Sequence, residues 1–453
     1  MTTRPPLPPL RREIVAIVGL AAPIAVAQLG LVGLGLVEVA IMGHAAPEQL
    51  GGASIGRSIG FLALAPGFGA AAALEPLAAQ AVGAREPRTA WSAFVATSRA
   101  AALVSIPCAA FAIASTWLLA PLGVAPEIVA PARAFVVAMS PGFLLATLYL
   151  SAKAYLQAYK RTVPAIVAAA IANAANVLVC GALVLGDDGL ARWGLPRVGI
   201  PALGAFGAGI ANTFANGVLA VCVLVPALRL RPHDGAAGAE VPVARVLRLG
   251  MPIGMQLLAE IGVFSFVAIL AGRLGNVAVS AHQIAIGLAS FTFMGALGIS
   301  GATAVRVGHA VGDGRSPRTP GLIGIALGAA FMSCMGIVFV SMPRALAFAF
   351  TSDPAIGALA EKLLYIAAAF QLFDGVQCVA SGALRGAGDV RFPFVASVGA
   401  YWLVGFPAAL VLGFALARGA QGLWWGLLIG LAVVAALLAS RFVVLTRKPI
   451  ARV

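Results

Sequence analysis

Four carboxylates stand inside long apolar stretches of the chain: Glu38, Glu75, Glu260 and Asp374. A charged side chain at the centre of a bilayer costs about 3 kcal/mol or more, so an acid there is expected to be protonated, paired with a cation or turned toward an internal cavity. Glu260 and Asp374 each fall near the middle of their apolar runs. That depth suits a pair that takes up a cation and releases it to either side of a membrane; the alternative is a buried carboxyl bonded to a neighbouring helix. Glu38 lies nearer the end of its run, where it would either meet a substrate in a vestibule or sit solvated at the interface. Glu75 immediately precedes Pro76 and is expected to pair with an arginine, Arg99 being one candidate, or to cap around the proline, in preference to holding a ligand.

Neutral polar side chains extend the set. Asn173 and Asn176 share one helix face, Gln256 stands one turn before Glu260, and Gln283 lies in the following run. Such amides either join helices by hydrogen bonds or contact a substrate. Phe264, one turn after Glu260, either packs or offers its ring face to an organic cation. His282, beside Gln283, reads as a satisfied polar contact near a helix end, although an imidazole titrates near neutrality.

The elements that must position these groups follow from composition. Of 453 residues 61% are hydrophobic and only 10% charged, with mean hydropathy +1.00, against about 25% charge in a soluble domain. These values exclude a soluble enzyme, a secreted disulfide module and a disordered chain. With roughly 20 apolar residues needed per crossing, the runs between polar punctuation place twelve helices near residues 14–43, 54–83, 91–120, 128–157, 163–186, 202–228, 245–272, 278–311, 320–342, 355–385, 392–416 and 421–446. Backbone in lipid must satisfy its own hydrogen bonds and period-2 alternation is missing, so an all-α polytopic membrane protein is expected over a barrel. The opening MTTRPPLPPLRREI feeds an apolar run of about 30 residues. That exceeds the roughly 7–15 residues of a signal-peptide core, so helix 1 is expected to be the first crossing.

A net charge of +14 would suggest nucleic acid in a soluble protein. Here the basic residues gather at the ends of apolar runs, so lipid is the expected partner and nucleic acid is not. One side of the membrane receives twenty-one of them, Arg4, Arg11, Arg12, Lys153, Lys160, Arg385 and Arg447 included; the other receives seven, Arg133, Arg192, Arg197, Arg273, Arg344, Lys362 and Arg418. The bias places both termini in the cytoplasm. Five cysteines, Cys108, Cys180, Cys222, Cys334 and Cys378, stand singly without metal or redox spacing and read as small packing residues.

The chain also repeats. A shift of 229 residues superposes Pro23 on Pro252, Gly43 on Gly272, Ala81-Val82-Gly83 on Ala310-Val311-Gly312 and Pro164 on Pro393. Two lobes are therefore expected, 1–228 and 245–453, each with six helices, joined by a cytoplasmic linker at 229–244. An even helix count orients both lobes alike, which implies a pseudo-two-fold axis along the membrane normal. The four acids break this symmetry, because their partner positions are Val267, Ala304, Leu31 and Leu145. Pro23 and Pro252 are expected to bend helices 1 and 7, and Gly298, Gly301, Gly308 and Gly312 to permit close helix contact. The chain has no GxxxxGK[ST] phosphate loop, no HExxH metal motif and no GxSxG elbow. Work done by this chain is thus expected to draw on an ion gradient.

Four stretches resemble the multidrug and toxic compound extrusion (MATE) family: AAALEPLAAQAVGAR in helix 2, MPIGMQLLAE opening helix 7, SAHQIAIGLASFTFMGALGISGATAVRVGHAVG across helix 8, and FDGVQCVASGALRGAGDVRFP from helix 10 into helix 11. The resemblance implies a monomeric inner-membrane exporter of cationic amphipathic molecules, not an enzyme, whose lobes alternate access as Na⁺ or H⁺ flows in. The likeness is greatest to the NorM-type branch, whose glutamate on helix 7 and aspartate on helix 10 correspond to Glu260 and Asp374. These would be the metal ligands if the ion is Na⁺. Glu38 takes the place of that branch's helix 1 aspartate. The helix 5 aspartate of the DinF-type branch aligns with Cys180, four after Asn176, which argues against a proton site of that kind. Glu38, Asn173, Asn176, Gln256, Phe264 and Gln283 are the candidate substrate contacts among the polar and aromatic residues above. A lipid-linked oligosaccharide flippase would need buried arginines for a pyrophosphate, with Arg99 and Arg57 the candidates; a narrow metabolite exporter is the other alternative. A reporter fused within the linker at 229–244 or after residue 453 is expected to be active only on the cytoplasmic side, as read by paired phosphatase and fluorescent fusions.

Overall fold

The computed structural model describes residues 10–192, 194, 196, 199, 201–233, 235 and 237–453. Arg4, Arg197 and the side chain of Arg192, all counted in the charge bias above, lie outside the described residues. The chain is all-helical among the described residues: α1 (Leu10–Ala45), α2 (Pro47–Ala63 and Ala65–Gly83), α3 (Pro87–Leu118), α4 (Pro126–Met139 and Gly142–Ala158), α5 (Val163–Leu185), α6 (Gly204–Leu228), α7 (Val243–Arg273), α8 (Asn276–Gly312), α9 (Arg318–Ser341), α10 (Pro354–Gly386), α11 (Arg391–Ala415) and α12 (Gly419–Leu445). Ten are singly long and apolar enough to cross a bilayer, and the two bent helices bring the number to twelve. The protein is a multi-pass membrane protein.

Local sequence sets most of the starts. Proline occupies the first turn of α2, α3, α4, α5 and α10, where its missing N–H has no partner to lose. Asp353 caps α10 by accepting from the Ala355 and Ile356 amides at 2.8 and 3.2 Å. The repeat is written into the backbone as well. Arg85 adopts φ 61° just past α2, at the position 229 before Gly314, which adopts φ 67° past α8. Both end a helix in the left-handed region, where only glycine is free of steric cost.

Two other helices are broken by sharp bends. Helices α1 and α7 run unbroken through Pro23 and Pro252, whereas α2 bends by 43° at Leu64 and α4 by 49° at Ser140–Pro141. A proline inside a helix removes one bond that curvature absorbs. At the two bends the helix restarts, with Pro66 in the first turn of its second segment in α2 and Pro141 as the N-cap in α4. Helix α11 widens into π-turns at Gly399–Gly405 and Val411–Ala415, on either side of Phe406-Pro407.

By contact the chain forms two compact units, one holding residues 10–26, Glu75–Arg85 and Met255–Val453, the other Ala27–Leu74 and Glu86–Gly254. They differ from the expected lobes at three segments: 10–26, 75–85 and 245–254. The first unit is built around α10, which packs on α8, α9 and α12. Its most apolar window is 67% buried, against 28–44% for the other unbroken spans. Small residues make this possible: a Cβ at Gly375 would stand 2.6 Å from the Gly328 carbonyl oxygen of α9, and one at Gly336 would stand 2.7 Å from that of Ala368. Trp424, Phe370, Phe442 and Leu363 fill the core around them. The second unit packs α2 and α6 on α4, with Gly52 and Gly209 each against an α4 backbone carbonyl, around Phe135, Val136, Met139 and Phe143. Gly375→Val is expected to lower stability by roughly 1–3 kcal/mol through overpacking, while Arg85→Gly leaves it unchanged or raises it by up to about 1 kcal/mol; thermal midpoints in detergent read both.

Candidate functional site

Asp374, Gln377, Ser381 and Arg385 follow one another at intervals of three and four along α10 and therefore form a single polar stripe. Gln256, Glu260 and Phe264 form a second stripe on α7. The two meet inside the first unit, where Gln256 Nε2 donates to Ser381 Oγ at 3.2 Å. One turn along, the Gln377 side chain is a hydrogen-bond partner of Glu260, and the Glu260 and Asp374 carboxylates lie within electrostatic reach of each other. Asp374 is only 6% exposed, whereas Glu260 is half-buried. The structure thus brings the two acids together.

Their surroundings are polar but incompletely bonded. Gln377 Oε1 and the Tyr401 hydroxyl are buried with no hydrogen-bond partner, and Tyr401 is within electrostatic reach of both acids. The residue after it, Trp402, donates its indole N–H to the Ala259 carbonyl at 3.0 Å. The π-turn of α11 therefore holds the backbone next to Glu260. Ser300 of α8 donates to the Cys378 carbonyl at 2.7 Å. Two neighbouring acids with spare oxygen acceptors suit a small hard cation or a shared proton.

Glu75 lies in the same unit and pairs with Arg385, 3.5 Å from its Nε; Arg99 is exposed on α3 beside Glu240. Phe264 meets Phe370 edge-on at 6.0 Å and lies 6.3 Å from Tyr401, which is aromatic packing. Gln283 is not part of this cluster. It lines a separate groove of about 350 Å³ with Ser280, Phe350 and Thr351. His282 is 2% exposed and stacks edge-on with Trp424 at 5.8 Å, with its Nδ1 unpartnered; it is a core residue and not the satisfied helix-end contact expected.

The second unit holds the remaining candidates. Glu38 is 1% exposed and bonded to Arg57 at 3.1 Å, with Asn212 as a further hydrogen-bond partner. It is neither a vestibule group nor a solvated interfacial acid: α2 supplies a counter-charge that the helix 1 sequence did not announce. Arg57 also donates to the Gly35 carbonyl at 3.1 Å. Asn173 donates to the Gly30 carbonyl at 2.8 Å, and Asn176 to that of Leu34 at 3.4 Å. Both amides therefore tie α5 to α1. All five cysteines are free.

Sequence reasoning passed over Gln377, Tyr401 and Arg385. The spacing from Asp374 was the available signal for the first and third. Tyr401, an aromatic in an apolar run, gave none.

Comparison with known proteins gives a consistent result. The MatE family model matches twice, at residues 23–181 and 252–411, so its two copies begin 229 residues apart. The multidrug resistance protein NorM of Burkholderia vietnamiensis is 33% identical over 453 residues, covering 96% of this chain and 95% of that protein. Among solved structures, the eukaryotic MATE transporter AtDTX14 is similar with a TM-score of 0.81, 20% identity and 96% of each chain covered. A crystal structure of MATE in the bent conformation is similar with a TM-score of 0.83, 16% identity and 98% and 99% covered. The twofold match and the full-length relative establish that the chain belongs to the MatE family, the multidrug and toxic compound extrusion transporters.

Proposed function

We propose that the protein is a secondary active multidrug exporter of the inner membrane, with both termini cytoplasmic, that exchanges cationic amphipathic molecules for Na⁺ or H⁺. The observation that carries this reading is the juxtaposition of Glu260 and Asp374 on two facing polar stripes of one unit. Two carboxylates held close together repel each other unless a cation or proton joins them. Such a pair binds an external cation and gives it up when the protein exposes it to the other side. Coupling requires that the ion and the exported molecule prefer different conformations, since a ligand with equal affinity for both shifts nothing.

Residues of this chain divide the work. Glu260 and Asp374 hold the ion; if it is Na⁺ they are the metal ligands, and the unpartnered Gln377 Oε1 and Tyr401 hydroxyl offer further oxygens. The exported molecule is a small organic cation, drawn by the excess of acid; Gln256 and Phe264 stand nearest the pair as candidate contacts, although Gln256 is bonded to Ser381 and Phe264 packs on Phe370 and Tyr401. The remaining candidate contacts, Glu38, Asn173, Asn176 and Gln283, are supported less, because the first three are engaged within the second unit and the last lines its own groove. The carrier needs no covalent chemistry, works as a monomer in the bilayer and has no nucleic-acid partner. A flippase for lipid-linked oligosaccharides is disfavoured, since Arg57 is committed to Glu38 and Arg99 is exposed.

Purified protein in liposomes is expected to export a fluorescent cationic dye under an imposed Na⁺ or pH gradient, and Glu260→Gln and Asp374→Asn are each expected to abolish the gradient's effect. Folded protein that moves none of several dyes under either gradient would remove the multidrug reading; normal transport by both variants would remove the site.

A further inference from the structure

The ion pairs of the first unit are not alike. Glu13 holds Arg306 in a bidentate bridge at 2.6–2.7 Å, and Asp389 holds Arg441 at 2.8 Å. Glu75 and Arg385 stand 3.5 Å apart, and Glu75 Oε2 and Arg385 Nε are both buried without a hydrogen-bond partner. That geometry is too loose for a committed charge-assisted bond. The two helices are joined beside this pair, because Gln80 of α2 donates to the Gly386 carbonyl of α10 at 3.0 Å. The looseness therefore belongs to the side chains.

Arg385 also has a second acid to face. It ends the α10 stripe that runs from Asp374 through Gln377 and Ser381, and it lies within electrostatic reach of Glu260. The tightly bonded arginines Arg306 and Arg441 are held by other acids. Two carboxylates, Glu75 and Glu260, the latter beside Asp374, thus share one cation that neither binds closely.

We infer that Arg385 is the internal counter-cation of the acidic pair: it competes with the coupling ion for Glu260, and Glu75 draws it away when the ion binds. The inference rests on the reading of Glu260 and Asp374 as the ion site. An arginine in this role lets the empty carrier avoid an unneutralised acid pair, and Glu75 sets how readily the arginine withdraws.

The two partners of this one ion pair then have opposite effects. Arg385→Gln removes the competitor and is expected to lower the half-saturating concentration of the driving ion by about three- to tenfold, from the size of a unit charge acting across a protein interior. Glu75→Gln leaves Arg385 to Glu260 alone and is expected to raise it by a similar factor. Arg385→Lys keeps the charge and is expected to stay near wild type. The measurement is dye efflux from liposomes by full-length protein, titrated with external Na⁺ at fixed pH and with external pH at zero Na⁺, on variants whose thermal midpoints match the wild type.

Opposed shifts with rescue by lysine support the inference. Shifts of the same sign, no shift in either variant, or Arg385→Lys behaving as Arg385→Gln overturn it, because a merely structural bridge is damaged equally from both sides. Glu260→Gln separates the two levels. If it abolishes ion dependence while Arg385→Gln changes nothing, only the counter-cation fails; if it leaves ion dependence intact, the ion site fails and the counter-cation with it.

Discussion

Helices in hydrocarbon gain nothing from hiding apolar side chains from one another, since lipid tails are as apolar as leucine. What holds them is the closeness of backbone contact, and closeness depends on where side chains are missing. Gly328, Gly336 and Gly375 let α9 and α10 meet carbonyl to Cα, and Gly382 does the same for α8 against α10. These contacts bury α10 more than any other unbroken span, and α10 carries Asp374, Gln377, Ser381 and Arg385. The backbone that carries the polar stripe is placed by these close contacts. Precision in placing an acid is a by-product of packing.

The two units treat buried charge differently. In the second, Glu38 has a dedicated arginine, an asparagine beside it and 1% exposure, so its charge is balanced within the fold. The first has an excess of carboxylate over cation around α10, and both units keep buried polar atoms without hydrogen-bond partners, Gln377 Oε1 and the Tyr401 hydroxyl in the first and Glu38 Oε1 and Asn176 Oδ1 in the second. A buried, half-satisfied polar network is expensive. The two units, arising from one repeated architecture, differ in how many acids each cation must balance.

Helix number, type and order were legible in the sequence because lipid imposes one rule on every crossing, and each predicted boundary lies within a few residues of the observed one except at the start of α2, which begins at Pro47. Depth and broken repeat symmetry singled out Glu260 and Asp374, which the fold brings together. Partners were not legible. Glu38 and Arg57 are nineteen residues apart on different helices, and Glu75 and Arg385 are separated by 310, so no local pattern joins them. Asn173 and Asn176 looked alike in ligand and structural roles, since an amide facing an apolar helix bonds a backbone carbonyl as readily as a substrate. A proline announces a missing bond, and only its neighbours decide whether the helix runs on, as at Pro23 and Pro252, or restarts, as at Pro66 and Pro141.

The contact units record a trade between the two repeats. Under the shift of 229 residues, the segment 10–26 that α1 gives to the first unit corresponds to 239–255, and all of this but Met255 is given to the second unit. Each repeat lends the beginning of its first helix to the other. A half-length forebear, carrying one repeat and working as a pair, would have had to exchange that arm between copies, as domain-swapped dimers do. In one chain the same exchange is made within a single molecule. Neither half, cut at the linker, carries the whole of a unit.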